Sequence, residues 1–332
     1  ADPNTQGPTM ALVSTDSSQG GVDMEAVALW VSVVLYIITV TVGISGNSVV
    51  IYVSALKIKT NVTNVFLVNL AVADLIFCVT RTFSIVYKLR SNNWPFGSFI
   101  CKFNGFFKYA NMFCSVFLLA VISLDRALCV WRPLLIKTKR TLFVARAVAV
   151  AVWMLAITLS VPYYMYRKVD LDKNNRTKCS IDMGKGKSAK SYLYWLRFVC
   201  GFALPFVVIL VCYISAGLGI KRTNLSKKSR SLRILVILVI AFFLCWAPYH
   251  ILQLFKMADK NREKLKPWLR ITSAIAYFHS CMNPLLYYCL GVRLRGGFRQ
   301  RLPSVYSRAI VDVMEEEPNH EDTTRSQALR GL

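Results

Sequence analysis

Seven long apolar stretches run through the chain, and most carry one or two polar residues near the middle. A helix needs about 20 mostly apolar residues to cross a bilayer. The pattern predicts spans at 26–56, 62–89, 98–131, 142–166, 191–220, 230–257 and 267–290. A soluble helix keeps a polar face, and stretches such as Arg146–Pro162 have almost none. The expected fold is therefore an all-α membrane protein, a seven-transmembrane helix bundle over 26–290. An N-terminal segment (1–25) precedes it, and a short amphipathic helix (291–303) and a tail (304–332) follow.

Charge sharpens this reading. The 332 residues include 41 Lys and Arg against 17 Asp and Glu, a net charge of +24. Such an excess suggests nucleic acid, but its placement argues otherwise. Lys57, Arg132, Lys139, Lys221, Lys228 and Arg295 all fall at every second span boundary or just after the last span. That is the positive-inside pattern, and it puts the N-terminus outside and the C-terminus inside. The bases then face anionic inner-leaflet lipid and a cytosolic partner. The loop after span 6 departs from the rule, with Lys260, Arg262, Lys264 and Lys266. Residues 1–24 carry no apolar core, so either the first span is a signal anchor or a leader has been removed.

Of ten cysteines, Cys101 opens span 3 and Cys179 lies in the loop before span 5. Both fall on the oxidising side, which predicts a disulfide. Asn175-Arg176-Thr177 is a glycosylation acceptor on that side, whereas the sequons at Asn61 and Asn224 fall inside. No nucleophile–base set, metal cluster or phosphate loop supports an enzyme. A transporter is the competing class, because intramembrane charges also mark ion paths, but no internal repeat is present.

The polar interruptions form an ordered series. Gly46-Asn47 lies in span 1, Asn69-Leu70-Ala71-Val72-Ala73-Asp74 in span 2, and Asp125-Arg126 ends span 3. Trp153 is in span 4, and Pro205 and Tyr213 are in span 5. Cys245-Trp246-Ala247-Pro248 is in span 6 and Asn283-Pro284-Leu285-Leu286-Tyr287 in span 7. In this order, and with Trp94-Pro95-Phe96-Gly97 before Cys101, they resemble the rhodopsin-like (class A) G-protein-coupled receptors over about residues 30–300.

The resemblance implies roles. Asp74, with Ser115, Asn47 and Asn283, would hold an allosteric sodium ion; the alternative is a protonated Asp74 bonded to Asn283. Asp125 would restrain Arg126 until span 6 swings out, with Tyr213 and Tyr287 reaching towards Arg126 in the active state. Pro205, Pro248 and Pro284 permit kinks. Trp246 occupies the ligand-sensing aromatic position. Departures include Ala127 after Asp-Arg, no proline near Thr80-Arg81-Thr82, and His279-Ser280 above Asn283. Leu294–Leu302 resembles the helix that lies along the inner membrane surface. Ser304, Ser307, Thr323, Thr324 and Ser326 would recruit arrestin once phosphorylated.

The outer half of the bundle bears on the ligand. Arg81, Lys108, Arg167, Arg197 and His250 fall there, and the acids well inside the spans, Asp74 and Asp125, are too deep to pair with them. An unpaired buried charge costs several kcal/mol, so an anionic ligand is expected. Lys108 stands where amine and opioid receptors carry an aspartate, and Tyr277 stands in the retinal-lysine region, which disfavours those classes. Asn111–Leu119 running into Ser123-Leu124-Asp125-Arg126 resembles the leukocyte chemoattractant branch. That branch includes receptors for complement peptides, formyl peptides, chemerin, prostaglandin D2 and leukotriene B4, and it couples mainly to the inhibitory G-protein class. Many members hold a ligand carboxylate with arginines where Arg167 and Arg197 stand.

Residues 1–25 contain no tyrosine and few acids, unlike receptors for large protein ligands. The expectation is a carboxylate lipid mediator, leukotriene- or prostanoid-like. The alternative is a peptide held by its C-terminal carboxylate. A guanidinium would fix the carboxylate bidentately, with Lys108, Arg81 and His250 on hydroxyls or a second acid. Phe106, Tyr109, Met112, Trp246, Tyr249 and Tyr277 would line an apolar chain.

Overall fold

A computed structural model describes residues 23–56, 60–132, 136, 138–172, 175–181, 186–223, 228–258, 264–293, 306–307 and 310–311. All seven expected spans are helical. α1 covers Met24–Leu56, α2 Val62–Leu89, α3 Gly97–Trp131 and α4 Leu142–Met165. α5 runs from Gly186–Phe198 through a π-helical turn, Val199–Ala203, into Leu204–Thr223. α6 is Lys228–Ala258 and α7 is Lys266–Arg293. The first six are long and apolar enough to cross a membrane. α7 is more polar, with Thr272, His279, Ser280 and Asn283 buried, and packs between α1 and α6.

Local chemistry sets the helix ends. The Asn61 side chain accepts from the Asn64 backbone N–H at 2.9 Å, and the Thr141 hydroxyl from Val144 at 3.2 Å. Both are N-caps, which satisfy donors that the first turn leaves free. Pro205 has no N–H to give to the preceding turn, and the π-turn lies immediately before its helix resumes.

α3 is the central strut, packed on α2, α4 and α5, while α1 closes the ring against α2 and α7. The core runs along these contacts. Outward positions such as Val150, Met154 and Leu155 on α4 are exposed, as suits a surface that meets hydrocarbon. Trp153 donates its indole N–H to Asn69 Oδ1 at 2.9 Å and so pins α4 to α2.

The segment between α4 and α5, read from the sequence only as a loop, is a β-hairpin. β1 (Arg167–Leu171) pairs antiparallel with β2 (Thr177–Ile181), Val169 opposite Cys179. The Cys101–Cys179 disulfide forms as expected and ties β2 to the start of α3. Trp94 N–H adds a bond to the Thr177 carbonyl at 2.8 Å. Asn175 sits exposed beside the turn at φ 56°, a left-handed conformation that asparagine tolerates.

Leu294–Leu302, the expected amphipathic helix, lies outside the described residues, as do Ser304, Thr323, Thr324 and Ser326. Tyr306 and Ile310, four residues apart, are buried in the core. The Tyr306 hydroxyl lies 3.8 Å from where a Cβ on Gly46 would stand, beside Pro284. The chain here packs onto the α1–α7 seam, where the sequence reading places the start of a tail.

Candidate functional site

Beneath the hairpin, a cavity of about 200 Å³ opens between α1, α2, α3 and α7. Four cations line it: Arg81, Lys88, Lys108 and Arg167. Arg81, 3% exposed, donates from Nη2 to the Asn104 carbonyl at 3.0 Å and side-chain oxygen at 2.5 Å. Its guanidinium also lies 4.6 Å from the Phe77 ring centre. Lys108 Nζ sits 5.0 Å from the ring centres of both Tyr109 and Tyr277. Lys88 donates to Ser32 Oγ at 2.9 Å and approaches the Tyr36 ring at 5.2 Å. These ring faces attract cations but do not neutralise them.

Arg167 reaches inward from the first residue of β1 and lies against α3 at Gly105. A Cβ built on Gly105 would overlap the guanidinium and stand 2.6 Å from Arg167 Cδ. The absence of a side chain at 105 is what lets this arginine in. Its Nη1 contacts Cys179 Sγ at 3.4 Å. None of the four cations has a carboxylate partner among the described residues, and the buried Nε atoms of Arg81 and Arg167 have no hydrogen-bond partner. Buried donors are ordinarily satisfied, so this arrangement is suited to an incoming anion.

The expected ligand residues divide here. Arg81, Lys108, Arg167 and Tyr277 line the cavity. Arg197 does not. It is 6% exposed, donates from Nη1 to the Tyr109 hydroxyl at 3.1 Å and lies 4.8 Å from the Tyr249 ring centre. Tyr109 in turn stacks on Tyr163 at 3.7 Å. His250 is turned to α5, 4.6 Å from the Phe202 ring, instead of towards the cavity cations. Met112 packs at Gly201, Trp246 is buried near Phe242, and Phe106 packs edge-on against Phe107. Trp246, Tyr249 and His250 form an aromatic block with Arg197 over Tyr109 and Tyr249, apart from the cavity lining. Lys88 is the reverse case: it lies outside the expected set, near the end of α2, yet it lines the site. The π-turn explains part of this. One extra residue per turn rotates the upstream face of α5 by about 100°, which span counting does not register.

In the middle of the bundle, Asp74 is fully buried. Asn283 Nδ2 donates to its Oδ2 at 2.7 Å and Asn111 Nδ2 to its Oδ1 at 2.9 Å. Asn111 stands 3.4 Å from Ser115 Oγ, and its own Oδ1 accepts from Ser280 at 3.3 Å. Asn47 is bonded elsewhere, to the Gly43 and Ser280 carbonyls. Asn111, absent from the expected set, is thus the second donor to Asp74. The carboxylate and the Ser115 hydroxyl suit a sodium ion, which would have to displace the Asn111 donor from Oδ1. His279 packs on Phe242 at 4.8 Å.

At the end of α3 away from the disulfide, Arg126 Nη2 lies 3.6 Å from Asp125 Oδ2 and also bonds the Thr63 hydroxyl. Arg140, just before α4, takes the same carboxylate, with Nε 2.8 Å from Oδ1. Tyr213 is half-buried on α5. Pro248 and Pro284 lie inside α6 and α7; the Tyr287 side chain lies outside the described residues.

Residues 46–287 match the family described as 7 transmembrane receptor (rhodopsin family). The chain belongs to this family. It is also similar to Formyl peptide receptor 2 of Mus musculus, 34% identical over 301 residues that span 85% of this chain and 86% of the relative. The C3a anaphylatoxin chemotactic receptor of Danio rerio is 34% identical over 91% of this chain and 82% of its own length. Chemerin-like receptor 2 of Homo sapiens is 30% identical over 86% and 82%. The chain is thus a class A G-protein-coupled receptor of the chemoattractant branch, a multi-pass plasma-membrane protein with a heterotrimeric G-protein as partner. The family is one of receptors, not enzymes.

Proposed function

We propose that this receptor responds to a peptide chemoattractant whose C-terminal carboxylate enters the four-cation cavity, and that it then activates an inhibitory-class G-protein. The observation that carries this is the cavity itself: Arg81, Lys88, Lys108 and Arg167 with no carboxylate partner among the described residues. A guanidinium holds a carboxylate through two parallel bonds, and the Arg81 and Arg167 guanidiniums both line this cavity. The peptide reading replaces the lipid mediator expected from residues 1–25 for two reasons. The similar receptors carry the names of formyl peptide, C3a anaphylatoxin and chemerin. Also, Met112, Trp246 and Tyr249, which an acyl chain would need beneath its carboxylate, are packed in the core and do not line the cavity.

In the same reading the N-terminus and the Asn175 acceptor face outward, the tail recruits arrestin, and sodium at Asp74 opposes activation. The test is nucleotide exchange on an inhibitory-class G-protein co-reconstituted with the receptor. Peptide pools with free C-termini are compared with the same pools amidated, and with leukotriene- and prostanoid-type acids. Exchange stimulated by free-acid pools and abolished by amidation is expected. Stimulation by the lipid acids alone would return the ligand to the lipid class.

A further inference from the structure

The charge of the cavity exceeds what one carboxylate balances. Arg81, Lys88, Lys108 and Arg167 bring four cations to about 200 Å³, and the described residues supply no acid. A single carboxylate in the site would leave three of these charges without a counter-charge. The cations are also spread over different walls. Arg81 and Lys88 are seven residues apart on α2, about 10 Å along its axis. Lys88 stands on the α1 side, bonded to Ser32, while Arg167 lies on the α3 side against Gly105. One carboxylate balances one charge, whereas the four cations come from α2, α3 and β1. Two carboxylates on a short frame can meet cations on two of these walls.

We infer that the agonist ends in an acidic residue, Asp or Glu, so that its α-carboxylate and side-chain carboxylate enter the cavity together and meet different cations. This rests on the peptide-carboxylate reading above and adds to it the identity class of the last residue. Lys88 is then a specificity-determining residue: it meets the second carboxylate, while Arg167 and Lys108 on the α3 side hold the first. The tyrosines around the site, Tyr36, Tyr87 and Tyr277, give the frame between the two anions an amphipathic wall.

The test uses purified receptor in nanodiscs and three small probes of one shape, at matched ionic strength so that screening is equal. N-acetylglutamate carries two carboxylates, N-acetylglutamine carries one, and N-acetylglutamine amide carries none. The readout is the rise in unfolding temperature with probe concentration, which follows binding to the folded state. N-acetylglutamate is expected to half-saturate at a concentration about tenfold or more below N-acetylglutamine, a gap of about 1.4 kcal/mol. The Lys88→Gln variant is expected to close most of this gap by weakening N-acetylglutamate alone. Equal half-saturation by the two acids, with the amide inert, would overturn the acidic end and leave the single-carboxylate reading standing. An amide that binds as well as the acids, or no stabilisation by any probe, would overturn both. The wild-type comparison decides the matter even where the variant folds poorly. Sulfate serves as a compact dianion; an effect equal to that of N-acetylglutamate would overturn the spaced pair of carboxylates.

Discussion

Arg140 grips Asp125 with two nitrogens, Nε to Oδ1 at 2.8 Å and Nη2 to Oδ2 at 3.3 Å, and so shares this carboxylate with Arg126. Both arginines also bond the Thr63 hydroxyl. Asp125 is therefore divided between its neighbour Arg126 on α3 and a residue at the foot of α4. Loss of Arg140 leaves the whole carboxylate to Arg126. Arg140→Gln is expected to lower basal nucleotide exchange, and Asp125→Asn, which removes the carboxylate beside Arg126, to raise it several-fold. Basal exchange on reconstituted G-protein checks the pair. The same sign in both would show that Arg140 does not compete for Asp125.

Arg197 and the cavity cations should separate in mutagenesis. Arg197 is bonded to Tyr109 inside the aromatic block, so Arg197→Ala leaves a buried hydroxyl without its donor and is expected to cost about 1–3 kcal/mol of stability. Arg167→Gln and Lys108→Gln are expected instead to weaken a free-acid peptide about tenfold or more, with little change in unfolding temperature. Thermal unfolding and dose–response curves on the same preparations read the two effects.

Gly105 sets the position of Arg167 by close approach. Gly105→Val puts atoms where the guanidinium lies. The expected outcome is a loss of free-acid peptide potency comparable to Arg167→Gln, and little further loss in the double variant, because both act through one side chain.

A sodium ion held at Asp74, as proposed, would compete with Asn111, whose side-chain N–H donates to Asp74 Oδ1. Asn111→Ala opens room beside Asp74 and is expected to increase the sodium dependence of agonist potency; Asp74→Asn is expected to abolish that dependence in either background. Potency in sodium chloride against N-methylglucamine chloride measures it.

Much of this was legible in the sequence because the bilayer imposes it. A span must be long and apolar, so the seven helices appear within a few residues of where the hydropathy pattern puts them. The polar residues inside them stand out because each is costly in hydrocarbon. Asp74, Asn283, Asp125 and Arg126 were found in this way. Cys101 and Cys179 were found from their side of the membrane. Asn111 escaped notice because a single asparagine beside Met112 and Phe113 gives no sign of which way it faces.

The sequence by itself thus determined the bundle, its disulfide, the polar residues inside the spans and an excess of cations in the outer half. Tertiary structure alone decided which cations meet. A helix turns about 100° per residue, so one added residue in the turn Val199–Ala203 redirects Arg197 to Tyr109. A hairpin between α4 and α5 carries Arg167 over Gly105, and the approach of α1 gives Lys88 its Ser32 partner. These are relations between elements distant in the chain, set by rotation and packing, and they assemble a basic cavity from residues whose spacing alone does not reveal it.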